Sequence, residues 1–253
     1  MKKFLLIIFF FLSACNPADY SEIKVKKVVD GDTIILSTGE HLRYIGIDTP
    51  ESRIKKGAQF VYDPQPFARE ATQFNKKLVE GKTIRVEFDI DKKDRYGRLL
   101  GYCFINDNFV NKELLEKGYA TLYTYPPNVK YVEVLAKAQK QARQSNRGMW
   151  GVYQAISPQQ AHRFINQIRT VKGKVLTTYQ SNKCTYLNFG PDYKTDFTVV
   201  IFNNTLDYFH QNGINPADFY RGKTIEVSGR IREYNGPEII INSPEEIRVI
   251  EKE

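Results

Sequence analysis

Short stretches of alternating apolar and polar residues, separated by turn residues, constrain the fold of this chain more than any other feature. Three such stretches lie within residues 23–47, and they are interrupted at 30–32 and 37–40, where tight turns are expected. Two further strands are predicted over 83–88 and 99–105. Five short strands joined in this way are typical of a small barrel of the OB type.

Helices are predicted beside this barrel at 68–80, 111–118 and 132–146, because apolar residues there recur every three or four positions. Asn111 is expected to cap the second helix. The segment 48–66 is rich in proline and is predicted to be a loop.

A second β-rich region follows Trp150, and its five predicted strands occupy residues 170–177, 184–189, 197–202, 224–232 and 238–242. A proline directly after Ser157 predicts a connecting helix over 158–167. The sequence therefore predicts a mainly β protein with helices, of the α+β class. A five-stranded OB-type barrel with helices is followed by a second, smaller OB-like β-barrel.

The first fifteen residues have the features of an export signal. Lys2 and Lys3 precede the apolar run 4–12, which is too short to cross a bilayer that needs about 20 residues. The run Leu12-Ser13-Ala14-Cys15 resembles the lipobox of bacterial lipoproteins, in which cleavage exposes a cysteine that carries a lipid. An ordinary secretory signal with a coincidental cysteine is the alternative. We expect an exported protein of the bacterial cell envelope, anchored to a membrane through a lipid on Cys15.

These patterns divide the chain into five segments. They are a lipoprotein signal peptide, a tether, a first barrel, a connecting segment and a second barrel, at residues 1–14, 15–22, 23–153, 154–168 and 169–250.

Charge and reactive side chains narrow the function. The formal charge is +8, and removal of Lys2 and Lys3 leaves 35 basic and 29 acidic residues, an excess that suits a nucleic acid or an anionic lipid surface. Cys103 and Cys184 are expected to be unpaired. The sequence contains no Cys/His cluster with zinc spacing, no nucleophile elbow and no Walker-type loop. Any hydrolysis must therefore depend on carboxylates, arginines and a hard metal ion.

Three polar motifs fall in the first barrel. Asp30-Gly31-Asp32-Thr33 is a predicted turn, and Asp48-Thr49-Pro50-Glu51 lies where the strand that contains Arg43 gives way to a loop. Tyr96-Gly97-Arg98 precedes the fifth strand. Each motif alone is more often a solvated turn than a site, although a hairpin turn does not explain the second carboxylate, Asp32.

Taken together, in this order and at this spacing, the motifs resemble those of the staphylococcal thermonuclease family, over about residues 23–150. The resemblance implies that Asp32 and Asp48 hold Ca²⁺, with the Thr49 carbonyl as a further ligand. Oxygen donors without imidazole suit Ca²⁺ or Mg²⁺ rather than zinc, and Ca²⁺ is favoured. The catalytic residues that the resemblance implies are Arg43, Glu51 and Arg98, with Glu51 as the general base and the arginines on the phosphate.

The resemblance also implies the substrates. DNA and RNA are both expected, with single strands preferred, because stacking on aromatic rings tolerates every base. The residues expected to bind the nucleotide are Arg95, Tyr96, Tyr123 and Tyr125. Products that end in 3′-phosphate are expected.

Two other functions are compatible with the sequence. The main alternative is a catalytically inactive, membrane-anchored lipoprotein that binds nucleic acid, and the other is a structural envelope lipoprotein. Degenerate barrels usually lose a catalytic arginine or carboxylate, whereas this chain keeps the full set. In the second barrel, phosphate contacts are expected from Lys172, Lys174, Arg221, Lys223, Arg230 and Arg232.

Overall fold

The computed structural model describes residues 19–250, and two hydrophobic cores lie within them. We name residues 23–152 the N-terminal barrel and residues 168–250 the C-terminal unit. Within the described part of the chain, no helix is long and apolar enough to span a membrane. Cys15 and the expected signal peptide lie outside the described residues. Export, the lipid anchor and the proposed domain boundaries therefore stay predictions.

Strands β1 to β10 of the N-terminal barrel are Ile23–Val28, Thr33–Leu36, His41–Tyr44, Gly46–Asp48, Arg53–Lys56, Gln59–Tyr62, Thr83–Glu87, Leu99–Ile105, Asn108–Phe109 and Thr121–Tyr123. The first three form an antiparallel meander, β3 pairs with β8 in parallel, and β7 joins β8 back to β1. The five strands thus close a barrel, which confirms the predicted OB-type fold. Closure follows from the sequence because apolar side chains such as Val25 alternate with exposed ones such as Lys24.

Helices α1 to α4 are Ala68–Val79, Val110–Glu116, Val132–Gln144 and Met149–Val152. The predicted cap at Asn111 is wrong, because this residue lies inside α2. Its buried amide accepts a hydrogen bond from the Cys103 backbone N–H at 3.0 Å and donates one to the Ile45 carbonyl at 2.8 Å. Asn111 therefore satisfies two backbone groups of the barrel wall instead of the end of its own helix.

The prediction of a loop over 48–66 is wrong in part. β5 and β6 form a two-stranded hairpin in which Arg53 lies opposite Tyr62, and Phe60 and Tyr62 are exposed. The hairpin escaped prediction because neither face is buried, so its residues carry no alternating pattern. The short pairing of β4 with β10, which places Thr121 opposite Asp48, was not predicted either.

Strands β11 to β18 of the C-terminal unit are Ile168–Lys174, Thr177–Gln180, Cys184–Asn188, Thr198–Phe202, Thr224–Arg230, Arg232–Glu233, Pro237–Ile241 and Ile247–Ile250. Helices α5 and α6 are Asn203–Gln211 and Pro216–Phe219. One sheet has the order β11-β15-β18, and the other has the order β12-β13-β14-β17-β16. β14 and β17 pair in parallel, as β3 and β8 do in the N-terminal barrel. The sequence did not predict α5, α6 or β18.

The connecting segment differs from the expected α-helix. It forms a 3₁₀-helix, Pro158–Phe164, with Ser157 and Gln160 in a capping box. The expectation that Cys103 and Cys184 are unpaired is confirmed, since both are free and buried.

The two parts of the chain dock through buried polar contacts. The Thr124 backbone N–H donates to Glu246 Oε1 at 2.7 Å, and Asn242 Nδ2 donates to the Thr124 carbonyl at 2.7 Å. Arg143 of α3 also donates to the Ser228 hydroxyl of β15. Hydrogen bonds to fixed backbone groups define one docking orientation, because each requires a particular distance and angle.

Glu246 makes the stability of the docked protein depend on pH. Burial raises the pKa of this carboxyl to about 8, against the opposing effect of the Thr124 and Asn242 N–H groups. The folded protein therefore holds a proton that the unfolded chain releases near the ordinary glutamate pKa. This contribution to stability is fully present below that ordinary pKa and is lost as the pH rises through about 8.

We expect the free energy of unfolding to fall between about pH 5 and pH 8, by up to about 1.4 kcal/mol per pH unit from this group. Calorimetric Tm values across this range measure the effect. Glu246→Ala should flatten the slope, whereas Glu233→Ala, an exposed control, should keep it. A Tm that rises with pH to the same extent in all three proteins would contradict the assignment.

Candidate active site

Two buried carboxylates from different strands meet at one end of the N-terminal barrel. Asp32 directly precedes β2, and Asp48 ends β4. Asp32 Oδ2 accepts hydrogen bonds from the Thr49 backbone N–H and hydroxyl, each at 2.9 Å. Gly31 permits this close approach, since a Cβ at that position would lie 2.6 Å from Thr49 Oγ1. The turn and the end of β4 are therefore fixed against one another.

Arg43 bridges the two carboxylates. It lies on β3 opposite Thr33, so the sheet register brings its side chain to the same end of the barrel. Its Nη2 donates to Asp48 Oδ1 at 2.9 Å, and its Nη1 pairs with Asp32 Oδ1. The structure thus joins three of the predicted site residues in direct contact.

The pKa values around this arginine move in opposite directions. Burial raises the pKa of Asp30 above its ordinary value, although Arg43 and Arg98 oppose the rise. At Asp48 burial acts in the same sense, but Arg230 and Arg43 outweigh it and hold the pKa below the ordinary value. Asp48, and not Asp30, is therefore the firmly ionised carboxylate beside Arg43.

Glu51 lies at the rim of the site, with 47% of its side chain exposed. Burial by the surrounding atoms raises its pKa, and the charge of Asp48 adds to this, while Arg230 opposes it. A carboxylate with a raised pKa is a better proton acceptor than an ordinary one, and Glu51 remains open to water.

Arg98 and Tyr96 lie on the turn before β8. Arg98 Nε donates to Asp94 Oδ2 at 2.7 Å, and among the described residues Arg98 makes no hydrogen bond to Asp32, Asp48 or Glu51. Tyr96 is 70% exposed, and the guanidinium groups of Arg95 and Arg98 lie 4.9 Å and 5.7 Å from its ring centroid. This turn presents an aromatic ring and two cations to solvent.

The other two predicted tyrosines are separated by the fold. Tyr123 ends β10 and lies near Asp48 and Arg232, and burial raises its pKa. Tyr125 is 56% exposed on a short turn closed by its bridge to Asn128. Only Tyr123 is therefore near the paired carboxylates.

Arg230 is the residue that the sequence did not place at this site. It ends β15 in the C-terminal unit, yet its Nε donates to Asp48 Oδ2 at 3.1 Å and its Nη2 donates to the Thr49 carbonyl at 2.8 Å. Nη2 also lies 3.4 Å from Glu51 Oε1. The sequence predicted instead that Arg230 contacts phosphates of nucleic acid in the second barrel. No local signal could have located it here, because its position depends on the docking of the two parts.

Comparisons with known proteins place the chain among relatives. The family described as Staphylococcal nuclease homologue matches residues 41–152. The Thermonuclease of Staphylococcus hyicus is 39% identical over 142 residues, which cover 55% of this chain and 79% of the relative. That of Staphylococcus intermedius is 39% identical over 129 residues, covering 50% and 74%. The Endonuclease YncB of Bacillus subtilis (strain 168) is 35% identical over 140 residues, covering 53% and 64%.

The chain belongs to the staphylococcal nuclease family. The resemblance seen in the motifs is thereby confirmed, and the chain is a nuclease that acts on nucleic acid. The predicted alternative of an inactive binding protein is set aside, as is that of a structural lipoprotein.

The donor atoms of the nuclease fit a hard cation. Two carboxylates touch the same guanidinium group, and the Thr49 carbonyl lies next to Asp48. Such oxygen donors, completed by water, suit Ca²⁺. Within residues 19–250 no group of three or more His, Cys, Asp or Glu side chains is arranged to hold a metal, so the protein would supply only part of the shell.

The close contact at Gly31 gives a test of how the nuclease site is held. We expect Gly31→Ala to push Thr49 away from Asp32 and to lower kcat by about 10²-fold, the usual effect of a displacement of about 1 Å. Lys26→Ala, at an exposed position of β1, is the control. Steady-state kinetics and Tm values should show that only Gly31→Ala loses activity. Full activity in Gly31→Ala would show that this contact does not hold the site.

Proposed function

We propose that the nuclease is a Ca²⁺-dependent phosphodiesterase that hydrolyses DNA and RNA and leaves 3′-phosphate ends. The observation that carries the proposal is the joint contact of Arg43 with Asp32 and Asp48, beside the half-exposed Glu51. This arrangement offers oxygen donors for a hard cation, a proton acceptor and a guanidinium group at one place.

Each residue then has a distinct task. Asp32, Asp48 and the Thr49 carbonyl would hold Ca²⁺, which supplies positive charge to the phosphate and lowers the pKa of bound water. Glu51 accepts the proton of the attacking water, because its raised pKa and its exposure favour that transfer. Arg43 and Arg98 bind the phosphate oxygens through paired N–H groups and stabilise the added charge.

Nucleotide binding is proposed on the turn that contains Arg95 and Tyr96. The exposed ring of Tyr96 can stack on any base, and the flanking arginines can bind phosphates. Stacking of this kind is open to unpaired bases, so single strands are the preferred substrates. Tyr125 is also exposed, and we assign it to the same strand of nucleic acid. Tyr123 is assigned to the nucleotide nearest Asp48.

The metal and the base can be tested together. A chelator should abolish hydrolysis of single-stranded DNA and of RNA, and added Ca²⁺ should restore it.

Glu51→Ala should lower kcat by about 10²–10⁴-fold at saturating Ca²⁺, the usual contribution of a general base. Glu22→Ala, an exposed control, should retain full activity. Mass spectrometry of the products should show 3′-phosphate ends. Activity that persists in the chelator would overturn the assigned metal.

The membrane anchor is a separate proposal, which rests on Leu12-Ser13-Ala14-Cys15. We expect Cys15→Ser to abolish lipidation, so that the protein moves from the detergent phase to the aqueous phase while its nuclease activity is preserved. Ser21→Ala, beyond the cleavage site, should partition like the wild type. Equal aqueous partitioning of all three proteins would show that no lipid is attached.

A further inference from the structure

Arg230 reaches from the C-terminal unit into the nuclease site, and protein oxygen atoms surround its guanidinium group. Nε donates to Asp48 Oδ2 at 3.1 Å, and Nη1 donates to the Asn166 carbonyl at 2.7 Å and to Gln65 Oε1 at 3.3 Å. Nη2 donates to the Thr49 carbonyl at 2.8 Å and lies 2.9 Å from Asp48 Oδ2. Four hydrogen bonds and the carboxylate of Asp48 thus surround the guanidinium group.

The surroundings hold Arg230 as a cation. Only 15% of its side chain is exposed, and burial by itself would disfavour the charged form. The carboxylates of Asp48 and Glu51 outweigh this effect and hold its pKa above the ordinary value. A buried guanidinium group with this many partners stays in place unless another cation compensates the same carboxylates.

Two of the partners of Arg230 belong to the proposed metal shell. Asp48 Oδ2 accepts a hydrogen bond from Nε and lies 2.9 Å from Nη2, and the Thr49 carbonyl accepts a hydrogen bond from Nη2. Direct binding of Ca²⁺ needs these lone pairs at 2.3–2.6 Å, and two cations at such close range repel one another. Asp48 Oδ1 is already partly occupied, because it accepts a hydrogen bond from Arg43. Arg230 and a metal ion cannot both use this end of Asp48.

A role in binding the phosphate of the substrate explains the contacts of Arg230 less well. An arginine that clamps a phosphate needs N–H groups free to face it. All three nitrogen atoms of Arg230 donate to protein oxygens, whereas among the described residues no hydrogen bond occupies Nε of Arg43. Asp48 and Glu51 flank the guanidinium group, so a phosphate in their place would meet two negative charges. The position of Arg230 is that of a counter-cation for the carboxylates.

We propose that Arg230 is an intramolecular competitor of the metal ion, through which the C-terminal unit holds the nuclease in a closed, metal-free state. This inference rests on the proposed Ca²⁺ site. Metal binding displaces the guanidinium group and frees Asp48 Oδ2 and the Thr49 carbonyl. Arg230 weakens metal binding by some factor. Because coupling between two binding events is reciprocal, the metal weakens the contact of Arg230 with the N-terminal barrel by the same factor.

Calorimetric titration of the full mature chain with Ca²⁺, without nucleic acid, tests the competition directly. If the wild type favours the closed state over the open state by about tenfold, Arg230→Gln should bind Ca²⁺ about tenfold more tightly than the wild type. Arg230→Lys keeps the charge but not the planar set of donors, so its Kd should lie between the two. Arg248→Gln is the matched control, because this arginine of the same unit pairs with Glu226 and, among the described residues, not with Asp48 or Thr49. Its Kd should equal that of the wild type.

Thermal unfolding gives a second measurement that does not depend on catalysis. Without metal, Arg230→Gln should lower Tm, because the contact with Asp48 is lost. Added Ca²⁺ should raise the Tm of Arg230→Gln more than that of the wild type, since the variant binds the ion more tightly. A Kd that is unchanged or weaker in a folded Arg230→Gln protein overturns the competition.

Asp48→Asn separates failure of this inference from failure of the proposed metal site. If Asp48→Asn loses Ca²⁺ binding while Arg230→Gln does not strengthen it, the metal site stands and the competition is wrong. If wild type, Arg230→Gln and Asp48→Asn all bind Ca²⁺ equally, or none of them binds it, both the metal site and the competition are wrong.

Discussion

Asp48 accepts hydrogen bonds from two guanidinium groups, Arg43 on Oδ1 and Arg230 on Oδ2, and the rest of the site is arranged around this double contact. A carboxylate buried without such partners would be destabilising by several kcal/mol, so each arginine must be held where it is. β3 holds Arg43 by its register with β2, and β15 holds Arg230 through the docking of the C-terminal unit. The ionised state of Asp48 therefore depends on both parts of the chain.

The N-terminal barrel supplies the rigid frame for this chemistry. Arg43 lies on β3 and Asp48 ends β4, so sheet register sets the positions of these two residues. Asp32 lies in the turn directly before β2, and its hydrogen bonds with Thr49 hold it against the end of β4. Glu51 lies just beyond this frame, where the chain leaves β4, and it is more exposed than the two aspartates. Such an arrangement fixes the groups that bind charge and leaves the proton acceptor open to water.

The C-terminal unit is more than a neighbour of the barrel. Glu246 and Asn242 fix the docking orientation at Thr124, and Arg230 and Arg232 then reach the site at Asp48 and Tyr123. A buried glutamate with a raised pKa and a buried arginine with a raised pKa lie in the same junction. Binding at the site and docking of the unit are thus linked through shared charged groups.

The sequence by itself determined the barrel strands, α1 and α3, because local periodicity encodes them. Its short motifs also singled out Asp32, Arg43 and Asp48, which the structure brings into contact. The sequence did not determine the β5–β6 hairpin, whose strand β6 is exposed throughout, or the place of Asn111, whose partner Ile45 lies 66 positions away in the sequence. Only the tertiary structure brought Arg230 to Asp48, 182 positions away. That contact follows from how two separately folded cores dock, and no local pattern encodes such a distance.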